Sequence, residues 1–597
     1  MAYSLDQVNQ HLAKVALGEE KAELVIQNGT LVNVITGELL PNMDVAISKG
    51  RIAYVGKANH TIGTVTNVID ATGKYIAPGL MDGHMHVEST MLTVTEFARI
   101  ALTKGTTSIF MDPHEIANVF GVEGVRQMHE EGQRLPMHVF TTFPSCVPAT
   151  DGLEDAGATL EVEDIKEGLT WDNVVGLGEV MNFPGVITGE PKMLGEIQET
   201  MLAGKTVTGH FPDGSNEMLQ AYIASGVTSC HETVDREQAL EKLRLGMYVM
   251  IREGSAWQDV KEVIKIVTED RVATEHILLV TDDVYPQTLV EKGHINHVVR
   301  RAIEEGVDPV TAIKMATLNV ARYFNMADDF GSITPSKCAD IIVLENLEQM
   351  EPSDVIVNGQ VVVADQHLVA TLPNYTYPNH IKQSIHVKNK LVPDDFNVKV
   401  DTTSEQVVVN GIKVIENSAR TEKMEAVLDV QDQLVISDLA QDVIKLACID
   451  RHHQSGDISV AFVNGFQLKR GAVASTVAHD SHNLLVMGVD EEDMAFAANA
   501  LIDLGGGMIV VEDGNILAQV PMPIAGLMSD ANAEEVVTQV KDLERAWEEL
   551  GCPIHAPFMT FSLIALPVIP EVRISNRGLV DVTTFSLIQV IKSLKHI

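Results

Sequence analysis

The run Ala77-Pro-Gly-Leu-Met-Asp-Gly-His84-Met-His86 constrains this chain more than any other. It reads as a buried β-strand whose last residues are two histidines at i and i+2. Side chains two apart on a strand share a face. Two imidazoles therefore converge at one strand end, an arrangement that suits a divalent transition metal. A bare pair of this kind more often flanks a surface turn. Here an apolar run precedes it and metal-type side chains recur at later strand ends, which favours the metal.

Between about residues 76 and 330, short apolar runs alternate with helical stretches such as Thr95–Thr103 and Glu237–Leu245. That alternation predicts a parallel (β/α)8 barrel. Its eight strands are expected at Tyr75–Gly79, Ser108–Met111, His138–Thr142, Val174–Leu177, Thr206–Thr208, Val227–Ser229, Tyr248–Ile251 and Ile277–Val280. Residues 1–20 read as an amphipathic helix. Residues 23–75 are β-rich with Gly-marked turns, and the same texture returns at Ala339–Leu344 and Asp354–Val363. One small β-domain, assembled from 1–75 and 331–380 around the inserted barrel, accounts for both. Residues 381–597 mix strands with two helical runs, Asp490–Leu504 and Ala533–Leu550, and read as a separate C-terminal α/β or α+β domain. At 597 residues, more than one domain is required.

Lys and Arg number 43 against 83 Asp and Glu, a net charge of −40. Such a surface repels phosphate backbones and anionic lipid, so nucleic acid and membrane are not expected as partners. A small uncharged substrate remains compatible. Five scattered cysteines without a CxxC suit a reducing cytoplasm. No basic segment followed by an apolar run opens the chain, and no apolar stretch of spanning length occurs.

Barrel chemistry sits at the C-terminal strand ends. There the sequence places His84, His86 and Glu88; Asp112, Pro113, His114 and Glu115; Glu179; His210; His231 and Glu232; and Asp282 with Asp283. Any one of these could be a solvated strand terminus. Four histidines and two carboxylates, each closing an apolar strand, form the set that a binuclear centre needs. Neutral imidazoles give affinity, one carboxylate can bridge the cations, and another can stand beside the solvent whose pKa the metals lower from 15.7 to about 7.

At these residues the chain resembles the amidohydrolase superfamily. More closely it resembles the bacterial adenine deaminase family, through Ala77–Thr90, Asp112-Pro-His-Glu-Ile-Ala-Asn-Val119, Gly178-Glu-Val-Met-Asn182, Thr208-Gly-His210 and Ala478-His-Asp-Ser-His-Asn483. The resemblance spans essentially the whole chain. It implies metal ligation by His84, His86, Glu179, His210, His231 and Asp282, with Glu179 bridging where many relatives carry a carbamylated lysine. It further implies hydrolytic deamination of adenine to hypoxanthine and ammonia, in purine salvage. The cofactor would be a binuclear divalent pair, Mn2+ or Fe2+ with Zn2+ compatible, and the expected assembly is a homo-oligomer, a dimer.

Loss of ammonia calls for a proton relay. Asp282 is the choice for it, with Glu179 sharing proton traffic. The neighbouring Asp283 could exchange places with Asp282, because sequence does not fix which one faces inward. Glu88 keeps the parity of the first strand and could bond the purine edge or orient a ligand histidine. Pro113 favours an extended Asp112 and a shaped loop, with Asp112, His114 and Glu115 as substrate contacts or loop anchors. Trp257 could stack on a purine or pack in the core. The His-rich segments Arg451-His-His453 and His479-Asp-Ser-His-Asn483 could close over the barrel mouth or lie in solvent. A cyclic amidohydrolase would favour a lysine at the fourth strand and a cationic anchor, neither evident here. A silent scaffold would not need all six ligand-type residues. A cytidine-type deaminase would show H-x-E with P-C-x-x-C, which is missing.

Overall fold

The computed structural model describes residues 3–150, 152–416 and 418–594. A helix α1 (Leu5–Leu17) leads into a sheet built from both flanks of the barrel. Its first half comprises β1 (Leu24–Asn33), β2 (Glu38–Ser48), β3 (Arg51–Gly56), β4 (Asn67–Asp70) and β5 (Tyr75–Pro78). The antiparallel pairing of β5 with Ile341–Leu344 then adds the strands Pro352–Val357 and Gln360–Ala364. Ile26, Val45, Ile341 and Ile356 fill the core beneath this sheet.

The barrel strands follow as β6 (Leu80–His86), β7 (Thr106–Met111), β8 (His138–Phe143), β9 (Val174–Val180), β10 (Thr206–Gly209), β11 (Ser229–Cys230), β12 (Tyr248–Arg252), β13 (Ile277–Val280) and its continuation β14 (Asp282–Asp283). Among the described residues β10–β9–β8–β7–β6–β14 form one parallel sheet and β11–β12–β13 a second, and β14 joins β6 through Asp282 opposite Met85 and Asp283 opposite His86. Every residue of β6 is buried, as a parallel strand covered on both faces requires. Below the site the barrel is plugged by Met81, Phe110, Met250, Leu278, Val320 and Phe324. The rings of Phe110 and Phe324 stack there at 3.9 Å.

Two local expectations need correction. Tyr75–Gly79 is not the first barrel strand: Tyr75–Pro78 belongs to the flanking sheet, and the barrel strand starts at Leu80. Two buried strands joined by a single Gly79 form one unbroken apolar run, so hydrophobic periodicity cannot separate them. Pro113 does not open a shaped loop either. Helix α2 (His114–Gly132) starts directly after it, because proline supplies no N–H where a helix start needs none.

The third domain carries a ten-stranded sheet among the described residues, antiparallel except for one pairing, with helices Glu491–Leu504 and Ala533–Glu549. It grips the loop after β8. Arg577 pairs with Asp155 at 2.6 Å, Asn483 donates to the Asp155 carbonyl at 2.8 Å, and Ser575 donates to the Leu153 carbonyl at 2.6 Å. All five cysteines are buried and unpaired, and no described helix is long and apolar enough to cross a membrane.

Asp82, fully buried on β6, ties the last barrel strand to the first. Its carboxylate accepts the Thr281 hydroxyl at 2.5 Å, the Thr281 N–H at 3.2 Å and the His84 N–H at 3.3 Å, with His294 Nε2 at 3.1 Å. Asp82→Ala strands these donors in an apolar core, at about 1–3 kcal/mol for each lost partner. A fall in melting temperature of several degrees is expected by calorimetry, and an unchanged transition would show that the closure does not depend on this residue.

Candidate active site

The strand ends bring His84, His86, Glu179, His210, His231 and Asp282 into one buried cluster. Glu179, the sixth residue of β9, stands at its middle. Its Oε1 faces His86 Nε2 at 3.3 Å and His84 Nε2 at 3.9 Å. Its Oε2 faces His210 Nδ1 at 2.6 Å and His231 Nε2 at 3.1 Å. One carboxylate thus presents an oxygen to each of two imidazole pairs. Asp282 Oδ1 lies 3.3 Å from His86 Nε2 and 3.8 Å from His84 Nε2, while its Oδ2 accepts from Arg252 at 2.8 Å.

These separations test whether the residues fit a metal. Two donors each about 2.1 Å from one cation sit about 3.0–3.4 Å apart at octahedral or tetrahedral angles. His86 Nε2 lies 3.3 Å from Glu179 and from Asp282, at ligand–ligand rather than hydrogen-bond spacing. His84 Nε2 is buried without any hydrogen-bond partner. His86 turns Nδ1 to the Asp112 carbonyl at 2.9 Å, the outward bond that leaves Nε2 free to ligate. The donor set fits a divalent metal.

The charges agree. Burial pushes the His84 pKa well below its ordinary value, keeping the ring in the neutral form that ligates. Burial works against the charge of Glu179, yet His231, His210 and His86 hold it well below the carboxylate range. Burial likewise opposes the charge of Asp282, and His86 and Arg252 overcome it. Burial and the neighbouring Asp282 lift Asp283 to about 6. Asp282 carries a left-handed φ of +61°, a conformation that costs energy outside glycine and concentrates at functional sites.

The remaining candidates divide by position. Asp283 lines the cavity and accepts the Ser89 hydroxyl at 2.5 Å. His114 and Glu115, in the first turn of α2, also line it. Glu88 does not continue the strand: β6 stops at His86, and Glu88 opens a 3-10 turn whose carboxylate accepts the Ile116 N–H at 3.2 Å. Asp112 sits behind the cluster, accepting the Glu179 N–H at 2.8 Å. Gly178 makes that approach possible, since a Cβ there would stand 2.5 Å from Asp112 Oδ2. Trp257 lines the cavity, and Glu232 holds the other side of Arg252.

One feature escaped the sequence, and another was left open by it. Arg252, buried at the end of β12, bonds Asp282, Glu232 and Asp259. Its place at a barrel strand end, shared with every other site residue, was the available signal. The roof of the cavity comes from the third domain, through His479, Asp480, Leu563, Leu566 and Ile569. Of the two places the sequence left open for His479–Asn483, the barrel mouth and solvent, the structure puts His479 and Asp480 at the barrel mouth.

A model of the amidohydrolase family matches residues 75–362, and one of the adenine deaminase C-terminal domain matches residues 418–586. An adenine deaminase of Moorella thermoacetica is 49% identical over 588 residues, 98% of each chain. One from Clostridium botulinum is 49% identical over 586 residues, again 98% of each. Adenine deaminase 3 of Rhizobium meliloti is 47% identical over 589 residues, 98% of this chain and 99% of that one.

His84→Ala removes one imidazole from the cluster. Bound metal per chain, measured by mass spectrometry of the purified protein, is expected to fall together with turnover. Full metal content and normal turnover in that variant would exclude the HxH pair as ligands. Gly178→Ala is expected to do the same more mildly, by pushing Asp112 off the Glu179 backbone.

Proposed function

The chain belongs to the adenine deaminase family of amidohydrolases, and we propose that it hydrolyses adenine to hypoxanthine and ammonia. The observation that carries this reading is the buried Glu179 set between two pairs of imidazoles beneath a cavity floored by polar groups and roofed by Leu563, Leu566 and Ile569. Such a cavity suits a flat, uncharged heterocycle. His84, His86, Glu179, His210, His231 and Asp282 would hold a divalent pair. Imidazole and carboxylate donors without thiolate suit Mn2+ or Fe2+, and Zn2+ is compatible. Bound there, the metals would supply Lewis acidity that makes water a nucleophile near neutral pH.

In the overall reaction, the water oxygen bonds to C6 and the bond from C6 to the amino nitrogen breaks. One proton must leave the water and one must reach the departing nitrogen, because ammonia leaves far more readily than amide ion. We assign that transfer to Asp282. Arg252 fixes one of its oxygens, so the other alone faces His84 and His86. Asp283 turns to Ser89 instead. Arg252 also favours the ionised form of Asp282, which keeps it ready to accept a proton.

A cyclic amidohydrolase is the weaker reading: Glu179 stands where those enzymes favour a lysine. The five unpaired cysteines support a reducing, cytoplasmic setting, and salvage of free purine bases is the role that such a reaction fits. The homodimer rests on the family resemblance alone.

Asp282→Asn keeps size and one oxygen but cannot take up a proton at neutral pH. Turnover of adenine is expected to fall by ~10²–10⁴-fold, with metal content little changed. Loss of metal and rescue by excess cation would make Asp282 chiefly a ligand. Asp283→Asn is expected to be mild, and a crippling effect there would move the relay to the neighbour.

A further inference from the structure

The cavity, about 60 Å3, lies between two domains. The barrel supplies the metal-type cluster. The third domain supplies an apolar ceiling and two polar side chains, His479 and Asp480, both buried. His479 Nδ1 stands 3.7 Å from Glu115 Oε1 and 3.6 Å from Asp480 Oδ1. Asp480 Oδ2 stands 3.7 Å from His114 Nε2 and has no hydrogen-bond partner. These distances are too long for direct hydrogen bonds. A buried carboxylate oxygen left unpaired is costly, so its retention on a cavity wall marks a place where a ligand donor is received.

The segment that carries these residues is held in place. Arg451 is buried, has no acidic partner among the described residues, and directs its guanidinium to the His482 carbonyl, Ser384 Oγ at 2.9 Å and the Ala525 carbonyl at 2.9 Å. Asn483 anchors the same segment to the barrel loop through the Asp155 carbonyl. A wall fixed from both sides can read a substrate without first having to order itself.

We propose that His479 and Asp480 determine specificity by reading the purine edge remote from C6, and that they admit the free base while refusing bases substituted at N9. The assignment rests on the adenine reading above. Adenine presents ring nitrogens that accept and one ring N–H that donates. An imidazole beside a carboxylate meets both needs: His479 donates to a ring nitrogen, and Asp480 accepts the ring N–H. A 9-substituted base has no such N–H. It would leave the carboxylate unpaired and press its substituent on the wall that His479, Asp480 and Glu115 form. Sites built around a hydrogen bond to the substrate discriminate strongly against analogues that lack it.

The test measures kcat/KM for adenine, the inhibition constant of 9-methyladenine as a competitor, and bound metal per chain, in the wild type, His479→Gln and Asp480→Asn. In the wild type, 9-methyladenine is expected to compete at least ~10²-fold more weakly than adenine binds. Each variant should lose ~10–100-fold in kcat/KM for adenine, chiefly through KM. The inhibition constant of 9-methyladenine should hold or improve, and metal content should not change. A common factor of loss for both ligands, loss of metal with activity, or equal binding of the two ligands by the wild type would overturn the assignment. A wild type that releases no ammonia from adenine would instead overturn the substrate reading beneath it.

Discussion

The contact on which the rest of this site depends is one buried carboxylate shared by four imidazoles. Glu179 is nearly inaccessible, and a lone charge in such a place would revert to the neutral acid. It stays ionised because His86 faces one oxygen while His210 and His231 face the other. Its backbone N–H is fixed in turn by Asp112, which reaches it only because residue 178 lacks a Cβ. The imidazoles come from three strand ends, His84 and His86 from one face of β6 and His210 and His231 from just beyond β10 and β11. The eight-strand closure is therefore a condition of the charge arrangement, and Asp82, which binds the last strand to the first, belongs to the same device.

The third domain takes part in that device. Over an open barrel mouth, water would surround the cluster and weaken every electrostatic contact in it. Here Leu563, Leu566 and Ile569 cover the cavity, while His479 and Asp480 bring polar groups where an entirely apolar lid would bring none. The ion pair between Arg577 and Asp155 and the bond from Asn483 to the same barrel loop hold the two bodies in register. A deaminase must exclude bulk water and still recognise a heterocycle edge, and a second domain can do both at once.

Much of this could be read from residues alone, for definite reasons. The period of two along a strand puts His84 and His86 on one face, and the habit of barrels to work at their C-terminal strand ends pointed to Glu179, His210, His231 and Asp282. The two-part β texture pointed to a sheet made from both flanks, and β5 does pair with Ile341–Leu344. Other features depend on information that local pattern does not carry. The break at Gly79 is invisible inside an apolar run. Glu88 was assigned by strand parity, which ceased to apply once the strand ended at His86. Nothing local distinguishes Arg252 from any other charged strand terminus; its three carboxylate partners, Asp282, Glu232 and Asp259, come from separate segments. For His479 and Asp480 the sequence leaves both a lid and a solvated loop open, and their approach to Glu115 and His114, more than 300 residues away in sequence, decides for the lid.

The most direct test of the central claim is anomalous diffraction from crystals of the protein grown with Mn2+, collected at the manganese edge. The account predicts two peaks, one on each side of the Glu179 carboxylate. One would lie within ligand distance of His84 and His86, the other within ligand distance of His210 and His231. A single peak that leaves one imidazole pair empty, or peaks away from Glu179, would contradict it.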